Sequence, residues 1–174
     1  MKGMKTIFSV LPLMALGECT QHFGTTTCGP GQIQMLDVAG MVYIHDTTVI
    51  GETKINGTAH ARNSQLNALE LNGLGQFNQV LVKGAAKVVG YLEATQSQFN
   101  QLTVVAEQLL LDQTEVGPIR IQSHAGQGPV IWLKNGSHVK GNICFEGDKG
   151  TVKLNGGASI SGQVINGQII ETSK

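Results

Sequence analysis

The sequence predicts an all-β fold, a single-stranded β-solenoid (parallel β-helix) of about seven coils of 16–21 residues. Three observations predict it. Apolar residues return with a period of 16 or 17 residues over the middle of the chain. Within each copy they alternate two apart, the spacing of a strand whose successive side chains point to opposite faces. Small residues, mostly Gly, fall at fixed places between them, where a coil must bend sharply.

In chain order, residues 1–17 read as a secretory leader. Lys2 and Lys5 make a positive start, and residues 6–16 (TIFSVLPLMAL) are an eleven-residue apolar run. That length suits a signal-peptide core and is well short of the roughly 20 residues of a spanning helix. Ala15-Leu16-Gly17 sets small residues before a cleavage after Gly17. Leu16-Gly17-Glu18-Cys19 also resembles a lipobox, which makes Cys19 a candidate for lipidation, although Glu18 stands where that motif takes a small residue. Removing Lys2 and Lys5 from the 12 basic residues leaves 10 against 12 acidic ones, a net charge near −2. A basic nucleic-acid surface is excluded by this balance. No stretch beyond the leader is long and apolar enough for a transmembrane helix.

Residues 18–35 are expected to form an N-terminal cap segment. Cys19 and Cys28 lie nine apart in a polar, Gly- and Thr-rich stretch, placed to close a short disulfide loop in an oxidising compartment. His22 between them raises metal binding as the alternative, but the spacing lacks a fourth ligand nearby. Cys144, in a strand-like run, reads as a small buried hydrophobe.

The β-solenoid domain is expected over 36–170. Five copies align on Gly40, Gly57, Gly73, Gly90 and Ala106. Two residues before each stand Val38, Ile55, Leu71, Val88 and Val104; four after stand Ile44, Ala61, Phe77, Ala94 and Leu110. Nine after come Val49, Leu66, Val82 and Phe99, with Glu115 in the fifth copy and Val116 one place on. A period this short excludes a helix-turn-helix repeat, which needs about 34 residues, and suits one coil of short strands. Stacked coils then share a continuous core along the axis. Towards the C-terminus the step lengthens to 21, matching Ile131 with Val152, Leu133 with Leu154, Val139 with Ile160 and Ile143 with Val164. The additional residues are expected in the 146–150 turn, and residues 123–129 (SHAGQGP) as a protruding loop.

Ile55-Asn-Gly57, Leu71-Asn-Gly73, Val139-Lys-Gly-Asn-Ile143 and Ile160-Ser-Gly-Gln-Val164 make a pattern that resembles the bactofilin or polymer-forming β-helix family over roughly residues 36–168. The resemblance implies a right-handed triangular β-helix that assembles end to end. The leader departs from that family's cytoplasmic setting and points to an exported bacterial envelope variant, in the periplasm, on the outer membrane surface or outside the cell.

No catalytic constellation, metal site or cofactor motif is legible. The histidines (22, 45, 60, 124 and 138) are scattered, and Asp46, Glu70, Glu93 and Asp112 form no paired-carboxylate motif. A polysaccharide-active β-helix enzyme would cluster Asp, Arg and Lys on one face, yet Arg occurs only at 62 and 120. Two functions remain: a structural or scaffolding solenoid that self-associates, and a module binding carbohydrate or another surface ligand. In the second, amide-rich outer ladders (Asn and Gln number 10 and 15) and the aromatics Tyr91 and Trp132 are the candidate ligand contacts. The packing alternative applies to Trp132 above all, between Ile131 and Leu133.

Overall fold

The computed structural model describes residues 16–172 apart from 124, 125 and 127. Most of the leader and His124 lie outside them. The described residues are all β, with parallel strands stacked into a β-solenoid of about eight turns. No helix among them is long and apolar enough to cross a membrane.

Each turn runs along three faces. On the first, residues 41–45 stack on 58–62, and later Gln108–Asp112 on Val130–Lys134, Gly150–Leu154 and Gly167–Glu171. The second carries Thr47, Ser64, Ser97 and Thr114 with the short strands that follow them, then His138–Val139 and Ser159–Ile160. The third stacks 36–39 on 53–56 and, further along, 102–105 on Ile119–Ser123 and Ile143–Gly147. Apolar residues alternate inward on all three faces. Val38, Ile55, Leu71, Val88 and Val104 form one buried column, and Val49, Leu66, Val82, Phe99 and Val116 another. The Phe77 and Phe99 rings meet in the core 6.3 Å apart and nearly parallel.

Gly40, Gly57, Gly73 and Gly90 stack where the third face turns into the first, all at positive φ. A methyl at Gly57 would overlap the carbonyl oxygen of Gly40, so only glycine lets the turns approach there. Outside the third face, Asp37, Lys54, Glu70 and Lys87 make a column whose charge alternates from turn to turn. Glu52 pairs with Lys54 at 2.9 Å; this hydrogen bond first, then the charges of Glu52, Glu70 and Asp37, raises the lysine's pKa.

The repeat departs from its expected register in one place. Leu110 does not join Ala94; Ala94 pairs with Leu111, which is fully buried, while Leu110 faces outward. Val89 pairs with Val105 but Leu92 with Leu109, so one additional residue enters between them and moves every later position along by one. The same shift seats Val116, not Glu115, beneath Phe99. Further on, Ile143 pairs with Val164 and Gly150 with Gly167, a step that falls from 21 to 17 residues across the 146–149 turn. Gly126 at the tip of the 123–129 segment donates its N–H to Asp148 in that turn.

The solenoid also begins earlier than 36. Strand β1 (Cys19–His22) folds back antiparallel on β2 (Thr25–Cys28), and β2 stacks in parallel on 41–44 as part of a turn of its own. Thr26 and Cys28 fill its inward positions.

Candidate functional site

The corner between the first and second faces recurs with one plan from turn to turn. One residue in the left-handed region swings the chain through the bend: Asp46, Asn63, Gln79, Gln96, Gln113 and Asn135, with φ between 47° and 55°. The next inward position carries a buried hydroxyl in most turns, at Thr47, Ser64, Ser97, Thr114 and, after the added Gly136, Ser137. Each hydroxyl donates to a carbonyl two or three residues back: Ser64 to Arg62 at 2.8 Å, Ser97 to Thr95 at 2.8 Å, Ser137 to Lys134 at 2.7 Å. Ser64, Ser97, Thr114 and Ser137 also accept a backbone N–H from the turn before, as Ser97 does from Val80 and Ser137 from Thr114, both at 3.1 Å. Burying these hydroxyls is tolerable because each donates inside, and four of the five also accept there.

Outside this bend lies an open groove of about 500 Å³. Gln79, Gln96 and Gln113 line one wall, and Gln98, Glu115 and His138 the other. The opposite wall is anchored. Glu115 pairs with Lys140, and the His138 ring nitrogens lie 2.8 Å from the Ser159 hydroxyl and 3.1 Å from that of Ser161. The amides at the two ends of the corner row are engaged, since Asn63 donates to Asp46 and Asn135 to Asp112 at 2.9 and 3.0 Å.

Tyr91 and Trp132 both lie on the first face, away from the groove, and are not in contact. Trp132 lies two turns beyond Tyr91 and one outward column across. Its ring is half-buried, stacked in register between Leu110 and Lys153, with the Lys153 ammonium 4.1 Å and the Lys134 ammonium 5.7 Å from its centre. This is a cation–π cluster. Tyr91 is also half-buried. Burial, with a smaller contribution from the Glu93 charge, pushes its hydroxyl above the ordinary tyrosine value, so the phenol stays a neutral donor.

Among the other residues singled out, Cys19 and Cys28 are disulfide-bonded, which occupies the sulfur that lipidation would use. Cys144 is free and half-exposed on the third face between Arg120 and Ile165 in register, and is not the buried hydrophobe expected. His60 stacks on Tyr43 with ring centres 4.9 Å apart, and His45 lies 3.6 Å from Asp46. Asp46, Glu70, Glu93 and Asp112 sit on different columns. Among the described residues no group of three His, Cys, Asp or Glu side chains is arranged to hold a metal ion. No family model matches the chain, and no curated protein or solved structure is significantly similar to it.

The hydroxyl ladder and the glutamine corner were not anticipated from the sequence. A signal for both existed in the recurring pairs Asp46-Thr47, Asn63-Ser64, Gln96-Ser97 and Gln113-Thr114, which hold the same place in their copies.

Proposed function

We propose that the chain is a non-enzymatic structural or scaffolding β-solenoid of a bacterial cell envelope, associating with further copies of itself through the C-terminal end of the rod. One observation carries this reading: the two ends of the described solenoid differ. At the N-terminal end β1 covers β2, the disulfide ties the two together, and the Gly17 N–H donates to the Gln32 carbonyl across the neighbouring face at 2.9 Å. At the other end Ile160 and Val164 are only half-covered. Ile169 is 49% exposed, although Val152, its counterpart one turn earlier, is fully buried. Gly167–Glu171 pairs with Gly150–Leu154 on one side only. An edge of this kind takes up another strand where one of matching spacing is offered, and the end of a second copy offers it.

Export is supported by the leader-like residues 1–17 and by a disulfide at Cys19–Cys28, a bond that persists in oxidising compartments. The test of the scaffold reading is sedimentation velocity over a wide concentration range. The wild-type chain is expected to associate with rising concentration, and Ile169→Lys to remain monomeric with an unchanged Tm. A wild-type chain that stays monomeric throughout removes the reading. N-terminal sequencing and intact mass of fractionated material separately test the leader.

A further inference from the structure

Three residues at the first corner break a local rule. Gln79, Gln96 and Gln113 adopt φ of 55°, 49° and 47°. That region costs a non-glycine residue about 1 kcal/mol or more, and Asn and Asp tolerate it best. The same corner does use Asp and Asn at Asp46, Asn63 and Asn135, so a less strained side chain fits the bend. Strain kept in successive turns, when the adjoining turns on either side use the relaxed alternative, marks a position held for something besides folding.

The amides of these three glutamines are also exposed and free. Among the described residues none of them makes a hydrogen bond to the protein, whereas the Asn residues at either end of the row are tied to carboxylates. They line one wall of the groove at a rise of about 4.8 Å per turn. Gln98, Glu115 and His138 line the other at the same rise. Glu115 is neutralised by Lys140, so the groove carries little net charge and offers a polyanion no unpaired cation.

We infer that this groove binds a linear, hydroxyl-rich polysaccharide lying parallel to the axis of the rod. An amide presents two donors and an acceptor, which suits the mixed demands of sugar hydroxyls and acetamido groups. Extended β-linked pyranose chains repeat at close to the rise of one turn, so each sugar meets an equivalent glutamine. Weak contacts then add along the chain, as in any multivalent pairing. Trp132 lies on another face, so binding here rests on hydrogen bonds and not on ring stacking.

The experiment is calorimetric titration of the full chain with two series of β-1,4-linked oligomers of increasing length, one of glucose and one of N-acetylglucosamine. Affinity for at least one series should rise with length and level off at about four units, the number of turns from Gln79 to Gly136. The triple variant Q79G/Q96G/Q113G should lose about tenfold or more in affinity while its Tm holds or rises, because glycine relaxes the bend. Gln98→Ala, unstrained and outward on the opposite wall, should weaken binding without touching the corner. A purely structural glutamine row gives the reverse result: a lower Tm in the triple variant and no change in binding. That result overturns the inference, as does the absence of saturable binding in both series or wild-type affinity in both variants.

Discussion

The backbone N–H of Val80 donates to the hydroxyl of Ser97, 3.1 Å away on the next turn. Val80 is itself the one member of this column between Thr47 and Ser137 without a hydroxyl, so the ladder is joined above it and broken below it. Ser97→Ala strands a buried N–H and is expected to cost about 1–3 kcal/mol. Val80→Thr supplies an oxygen where Ser64 has an N–H to give, and its own proton has a carbonyl two residues back. The change should leave stability equal or higher, against the usual penalty for a hydroxyl in a core. Urea denaturation of both variants checks the pair.

Thr53 is the opposite case. It is 1% exposed, and its hydroxyl oxygen has no hydrogen-bond partner. It stacks in register on Leu36, in a column of aliphatic side chains. Thr53→Val removes an unsatisfied group at nearly constant shape and should stabilise by about 1 kcal/mol, or about 2–4 °C in Tm. A lower melting temperature would mean that the hydroxyl is satisfied in solution.

Phe77 carries much of the mid-rod packing. It shares its column with Ala61 and Ala94 and stacks on Phe99, so one large ring fills the space beside two small neighbours. Phe77→Ala is expected to cost about 3–5 kcal/mol through lost burial and the cavity left behind. A loss below about 1 kcal/mol would show that the neighbouring turns collapse into the gap.

Alkaline pH should expose Tyr91. Its pKa lies above the ordinary value when folded, chiefly through burial. The unfolded chain therefore loses this proton first, and stability falls as pH rises past about 10 towards the folded value. Tyr91→Phe should flatten that alkaline limb. Urea denaturation of the wild-type chain and the variant across the alkaline range checks this.

The fold was legible because a coil of this kind repeats its inward positions, and five copies made the columns visible. The local register at the fifth copy was not, since residues 109–111 are all leucine and alternation has nothing to choose between them. Glu115 in an apolar column, with Val116 beside it, was the trace of the inserted residue. The first turn was hidden for another reason: Thr26 and Cys28 fill its core where later turns use Val and Ile, so it read as a polar cap. The groove escaped because a buried serine looks like a surface residue in a polar–apolar pattern, and no propensity rule places glutamine at positive φ.

A rod of near-equal turns can also be miscounted as it is built, for a turn looped out leaves its neighbours free to meet with most inward contacts intact. The charged column on the third face opposes that error. With one turn omitted, Asp37 would face Glu70, or Lys54 would face Lys87, and like charges set directly opposite destabilise a strand pair. Alternation of sign thus acts as a parity check: the hydrophobic columns accept any turn, while the outer column accepts only the odd-numbered neighbour.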